Sequence, residues 1–421
     1  MIVIFTFALL VLLAIGVPVA FSLGASGLLG MVLFMPGDGA LEQIPILAYK
    51  ALDDFVLCAV PLYILMSAIL LKGKVGEDLF DLGNKWLRHL PGGLGIATIV
   101  ACGIFAAITG SSVACAVTVG AIAIPEMLKR GYDRSVVLGA VAGGGTLGIL
   151  IPPSIPMILY GSITGESIGQ LFMSGVLPGV LMTVFFIFIV VYRSRHLKLE
   201  KKAPLSERFA ALKGSIWGLL LPVIVVGGIY TGAFTPTEAA VISVVYSYVV
   251  GRFVYKELDG SSTYKALKDA IVINGATTFM VGLSTAFAAL LTMEQIPMKI
   301  AGFITSISQN GFVILLLINL LLLLVGMFID NIPATIILTP ILLPICRKFG
   351  MSPITFGIML TMNLAIGFCT PPYGINLFVA TAISKVKMEA LSKELIMLIG
   401  ALILVLGAVT YIPSVTTIFL K

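Results

Sequence analysis

Thr109-Gly110-Ser111-Ser112 and Ile151-Pro152-Pro153 interrupt otherwise apolar sequence, and comparable breaks return as Asp330-Asn331-Ile332-Pro333 and Thr370-Pro371-Pro372. The two sets are in step. Adding 219 to Pro125, Lys129, Gly131, Gly148, Pro152 and Pro153 lands on Pro344, Lys348, Gly350, Gly367, Pro371 and Pro372, the same residue type each time. A Gly/Pro-interrupted apolar segment at corresponding positions of two halves is the sequence pattern of a secondary transporter's midplane site.

The surrounding composition supports a membrane setting. Of the 421 residues, 59% are hydrophobic and 11% charged, against about 25% charged in an average soluble domain. Phe312 to Ile329 holds only Asn319 as a strongly polar residue, and 171–192, 270–292 and 395–418 are comparably apolar. Runs near 18–20 residues are long enough to cross a bilayer. The expected class is an all-α polytopic membrane protein. The net charge of +6 sits in short loops with no basic, aromatic-interleaved face, which argues against nucleic acid. Cys58, Cys102, Cys115, Cys346 and Cys369 all lie in apolar segments without a C-x-x-C pair, so neither a disulfide framework nor a zinc site is indicated. His89 and His196 fall in polar loops. Met1 to Ala14 lacks the basic start of a signal peptide, so 2–16 reads as a first spanning helix.

Apolar segments fall near 2–16, 18–35, 55–71, 94–125, 136–164, 171–192, 215–232, 236–254, 270–292, 312–346, 354–384 and 391–418. Segments 94–125 and 312–346 are too long for one straight span and break at Gly110 and Asp330, which reads as re-entrant helical hairpins. Segments 136–164 and 354–384 break at tandem prolines, since proline removes a donor and restrains the residue before it. The alternative for each hairpin is two ordinary spans. Charge distribution favours the hairpins: with them, 21 of the 26 Lys and Arg residues face one side, as the positive-inside rule requires of the cytoplasm. Counting spans then gives ten full crossings, both termini outside the cytoplasm, and two inverted-topology repeats. The first is 1–192, with scaffold spans in 1–71 and hairpin plus broken span in 94–164. A basic cytoplasmic linker, 193–214, follows. The second is 215–421, with scaffold spans in 215–292 and hairpin plus broken span in 312–384.

Broken helices persist in hydrocarbon only where they line a cavity or pack on protein. Their ends leave carbonyls that suit a small cation and N–H groups that suit a carboxylate. For a first cation site the expected residues are Thr109, Ser111, Gly148, Ile151 and Pro153, largely through backbone oxygens; the resemblance given below implies that the cation is sodium. The 219-residue shift maps them onto Phe328, Asp330, Gly367, Thr370 and Pro372. Ser112, Ser154, Asn331, Tyr373 and Asn376 lie beside these breaks and are candidates for the solute. Asp330 is the carboxylate placed at membrane depth, where ionisable groups are functional by default; its structural reading is an N-cap with Pro333 in the first turn. Glu238 reads as part of a capping box, Thr235-Pro236-Thr237-Glu238, rather than as a site. Gly143-Gly144-Gly145 has no following Gly-Lys-Ser/Thr, so it is a place of close packing or a hinge rather than a phosphate loop.

Five motifs in order resemble the large membrane subunit of tripartite ATP-independent periplasmic (TRAP) transporters. They are Ile-Thr-Gly-Ser-Ser-Val-Ala at 108–114, the run from Gly143 to Pro156, Phe-Thr-Pro-Thr-Glu-Ala-Ala at 234–240, Asp-Asn-Ile-Pro-Ala at 330–334, and Gly-Phe-Cys-Thr-Pro-Pro-Tyr-Gly-Ile-Asn at 367–376. The resemblance implies sodium-coupled uptake, by an elevator movement, of a carboxylate such as a C4-dicarboxylate or sialic acid in the bacterial inner membrane. No organic cofactor is expected, and filling both symmetry-matched sites would take at least two sodium ions per solute. The resemblance also implies a separate small four-helix membrane subunit and a secreted substrate-binding protein. A self-sufficient sodium/dicarboxylate carrier is the alternative. A polytopic membrane enzyme is more distant, because no membrane-depth His, metal cluster or nucleophile–base pair is present.

Overall fold

The computed structural model describes residues 2–34, 39–371, 374–385 and 392–420, and every regular element among them is helical. Helix is the expected answer where the backbone must satisfy its own hydrogen bonds away from water. The chain opens with α1 (Ile2–Ala14), α2 (Val19–Phe34) and α3 (Gly39–Leu52). A short 3₁₀ turn, Phe55–Cys58, then leads into α4 (Ala59–Leu70); Asp54 caps the turn by accepting from the Val56 N–H at 2.9 Å. The α3 and α4 segments meet at 66°. The next helix, α5 (Val75–Leu87), is amphipathic: Val75, Leu79 and Phe80 are buried while Glu77, Asp78 and Asp81 supply a polar face. Both α3 and α5 lie where loops were expected.

The first interrupted unit comprises α6 (Gly93–Thr109), α7 (Ser112–Lys129), α8 (Arg134–Thr146) with a 3₁₀ turn at Leu147–Ile149, and α9 (Ile155–Thr164). A long helix, α10 (Ile168–Ser194), completes this half. The second half starts with α11 (Leu205–Tyr230), so residues 205–214 of the expected linker are helical. Next come α12 (Pro236–Val249), continued by a π turn at Val250–Val254, then α13 (Gly260–Met293) and α14 (Ile296–Ile307). The capping box at α12 is present: Glu238 accepts from the Thr235 N–H at 2.8 Å, and Thr235 accepts from the Glu238 N–H at 3.3 Å. The second interrupted unit is α15 (Gly311–Gly326), α16 (Asn331–Lys348), α17 (Pro353–Gly367) and α18 (Ile375–Ser384), and α19 (Ser392–Tyr411) and α20 (Ser414–Thr417) end the chain.

Among the described residues, five helices are individually long and apolar enough to cross a membrane: α7, α10, α11, α12 with its π turn, and α13. Most other apolar segments are shorter because the Gly and Pro breaks divide them. Within the first interrupted unit α6, α7 and α8 pack together, and α15, α16 and α17 do so within the second. The helices after the breaks cross over: α9 packs on α16 and α17, while α18 packs on α7 and α8. Tyr160 fastens one crossing, its hydroxyl donating to the Pro353 carbonyl at 2.6 Å. α13 packs on α2, α3 and α4 and also touches α16. Dispersion between closely approaching helices holds such a core, so small residues matter at contacts. The triple glycine serves that purpose: a Cβ on Gly144 would lie 2.8 Å from the Cys102 Sγ, and one on Gly145 would lie 2.9 Å from the Asn376 Nδ2.

Candidate functional site

The first break leaves two residues, Gly110 and Ser111, between α6 and α7. Gly110 takes φ +62°, which ends α6, and Ser111 caps α7 by accepting from the Ala114 N–H at 3.3 Å. This tip presses on the neighbouring break. A Cβ on Gly110 would meet the Pro153 carbonyl oxygen at 2.4 Å, and one on Gly148 would meet the Ser111 carbonyl oxygen at 2.6 Å. Thr109, Ser111, Gly148 and Pro153 are therefore brought together, with backbone oxygens among the groups in contact. Ile151 follows in the chain, its N–H donating to the Leu147 carbonyl at 2.9 Å and its side chain packing toward Gly179.

The second break is longer. Four residues, Met327 to Asp330, separate α15 from α16. Asp330 caps α16 by accepting from the Asn331 N–H at 2.8 Å, so Ser111 and Asp330, 219 residues apart, hold the same structural position. The close approach is displaced, however. A Cβ on Gly367 would meet the carbonyl oxygen of Gly326, not of Asp330, at 2.1 Å. Gly326 is a participant that the sequence shift did not reveal, because the shift carries no information about a longer tip. Phe328 is 60% exposed. Thr370 donates its hydroxyl to the Ile366 carbonyl at 2.7 Å. Pro372 and Tyr373 lie outside the described residues.

Both tips open onto one cavity of about 530 Å³, within the range of roughly 300–1,000 Å³ usual for small-molecule sites. Thr109, Ser111 and Ser112 line it from the first half, Asp330 and Asn331 from the second, with Ile149, Ile155, Phe368 and Ile375 from beside the proline breaks. Its far wall is α4 and α13, through Ile64, Ser67, Lys72, Lys268, Asp269 and Thr277 among others. Asn331 is 2% exposed, and its Nδ2 has no hydrogen-bond partner among the described residues, while its Oδ1 accepts from Thr335 at 3.2 Å. A buried amide donor beside a cavity is costly without a partner, and a solute oxygen would supply one.

The remaining candidates are placed differently. Asn376 is fully buried and donates to the Ser112 hydroxyl at 2.8 Å and to the Ala142 carbonyl at 3.2 Å, tying α18 to α7 and α8. Ser154 is also buried, its hydroxyl donating to the Ile149 carbonyl at 2.6 Å. Lys72 and Lys268 belong to the basic residues of the one charged side; with Asp269 they reach the cavity through the helical spacing of the wall residues.

A family model described as the Tripartite ATP-independent periplasmic transporter, DctM component, matches residues 6–415. The chain belongs to this family. The TRAP large permeases it resembles include the C4-dicarboxylate TRAP transporter large permease protein DctM of Pseudomonas aeruginosa, 40% identical over 397 residues, covering 94% of this chain and 92% of that protein. The isethionate TRAP transporter permease protein DctMQ of Oleidesulfovibrio alaskensis is 38% identical over 412 residues, and the sialic acid TRAP transporter permease protein SiaT of Haemophilus influenzae 34% over 412 residues. This chain spans 64% and 66% of their respective lengths. In fold it is similar to the crystal structure of the Alcanivorax borkumensis YdaH transporter, with a TM-score of 0.60 at 15% identity over 89% of each chain. As a TRAP large permease it is a multi-pass membrane protein.

Proposed function

We propose that this TRAP large permease carries a small organic acid into the cell, with sodium as the coupling ion and a secreted binding protein delivering the solute. The observation that carries the reading is the convergence of both hairpin tips, from opposite halves of the chain, on a single cavity. The solutes in the relatives' names, a C4-dicarboxylate, sialic acid and isethionate, share an anionic oxygen group. The unpartnered Asn331 amide and the Ser111 hydroxyl are neutral donors for such oxygens, while the Ser112 hydroxyl is already paired with Asn376. Carbonyl and hydroxyl oxygens at Thr109, Ser111, Gly148 and Pro153 are hard donors of the kind sodium takes, and Gly326, Gly367, Thr370 and Asp330 form the corresponding second set.

The two halves act as inverted repeats. What supports this is the 219-residue register, the shared cap position of Ser111 and Asp330, and the reciprocal packing of α9 and α18. α6–α9 and α15–α18 move as one body in an elevator step against a scaffold that includes α4, α12 and α13. The protein sits in the bacterial inner membrane with both termini periplasmic, and it works with a small four-helix membrane subunit. The test is uptake of labelled succinate, isethionate or sialic acid by the reconstituted permease complex, with and without the binding protein. Uptake that needs both sodium and binding protein is expected. Full uptake without any binding protein would instead describe a self-sufficient carrier.

A further inference from the structure

The far wall of the cavity is built from two single-faced stripes. On α4 and its end, Ile64, Ser67, Ala68, Leu71 and Lys72 follow one another at the i, i+3, i+4, i+7, i+8 spacing of one helix face. On α13, Lys268, Asp269, Val272, Ile273 and Thr277 fall at i, i+1, i+4, i+5 and i+9, again along one side of the helix. Both stripes are apolar or neutral through their length and become charged at the same end. There Lys72 Nζ donates to Asp269 Oδ2 at 2.7 Å, with Asp269 half exposed. Lys268 is exposed and has no ion pair among the described residues. Among the described residues Lys72 and Lys268 are the only cations on the cavity lining, and both lie at the end whose flanking loops carry most of the basic residues.

We propose that Lys268 and Lys72 form an anion-binding lip on the static wall, which takes the solute's carboxylate or sulfonate on its way to the cytoplasm, with Asp269 as the built-in competitor for Lys72. This rests on the organic-acid reading above and deepens it. A departing anion meets Lys268 first and exchanges with Asp269 for Lys72. When the anion leaves, Asp269 returns to Lys72, so the lip holds the solute only briefly. Without the competitor, two free ammonium groups would retain it.

The test uses the complete permease complex in vesicles of phosphatidylcholine alone, which removes anionic headgroups as ligands for the lysines. Vesicles loaded with unlabelled succinate at graded concentrations exchange it for labelled succinate outside. Lys268→Gln and Lys72→Gln should raise the internal half-saturating concentration about two- to fivefold, the scale of one partly exposed charge pair. Asp269→Asn should lower it by a similar factor, with outside half-saturation unchanged in all three. Lys268→Arg should behave as wild type, which separates charge from misfolding. Wild-type exchange with three unaltered internal values overturns the lip while leaving the transport reading intact. A wild-type complex that exchanges no organic acid overturns both.

Discussion

Gly148 and Ser111 touch so closely that a single methyl group at Gly148 would lie 2.6 Å from the Ser111 carbonyl oxygen. The same relation recurs between Gly367 and Gly326, at 2.1 Å. In each half, a hairpin arm is thus seated backbone to backbone on the helix that ends at the proline break. Carbonyl oxygens are concentrated at both contacts.

Gly148→Ala and Gly367→Ala should each push a hairpin tip off its seat, at a cost of about 1–3 kcal/mol for overpacking. Uptake should fall sharply while membrane levels fall less. Gly227→Ala is the control, because a Cβ there meets nothing within 4 Å. Thermal melting and initial uptake rates of the three variants check this. A normal transport rate in Gly148→Ala would show that the seat tolerates displacement.

Asn376 and Ser112 should couple energetically. Asn376 is spent on Ser112 and Ala142, so Asn376→Leu strands a buried hydroxyl at a cost of about 1–3 kcal/mol. A double-mutant cycle with Ser112→Ala, read by melting of the purified protein, should recover a coupling of about 0.5–3 kcal/mol. Strictly additive effects would mean that the bond does not hold α18 to α7.

The breaks were legible in the sequence because their chemistry is local. Tandem proline cannot continue a helix, and Gly-Ser or Asp-Asn makes an end and a cap, whatever surrounds them. Asp330 was legible as a cap for that reason, whereas the cap at Ser111, read from sequence only as a cation ligand, emerged from the structure. Three helices were not legible. α3, α5 and α14 are amphipathic, and in a search for long apolar runs their polar faces read as loop; only the packing of α5 on α6 and α11 and of α3 on α13 explains their apolar faces. The second tip was legible in composition but not in register. Four residues stand there in place of two, so the seat moved to Gly326, and no fixed offset could report that. The cavity wall was missed because α4 and α13 meet only in three dimensions.

Asn331→Asp replaces the unpartnered cavity amide with a carboxylate of the same shape. If that amide receives an anionic oxygen, a hydrogen bond to a charged group is lost and repulsion added. Apparent affinity for the solute should fall by about tenfold or more, with sodium affinity changed far less. An unaltered solute affinity would return Asn331 to a purely structural role in α16.

Asp330→Asn separates cap from charge. Asn caps a helix about as well as Asp, so expression and melting should stay near wild type. Loss of the Coulomb term at the cavity lining should raise the sodium concentration needed for half-maximal uptake. Wild-type sodium dependence in this variant would leave Asp330 as a cap alone.

Sodium binding by two broken-helix tips beside one solute cavity is the proposal on which the transport cycle turns. It is tested most directly by the initial rate of solute uptake, in proteoliposomes of the complete complex, measured against external sodium at constant ionic strength with choline as replacement. The rate should vanish in choline and rise sigmoidally with sodium, because at least two ions accompany each solute. Uptake that continues unchanged in choline would contradict the claim.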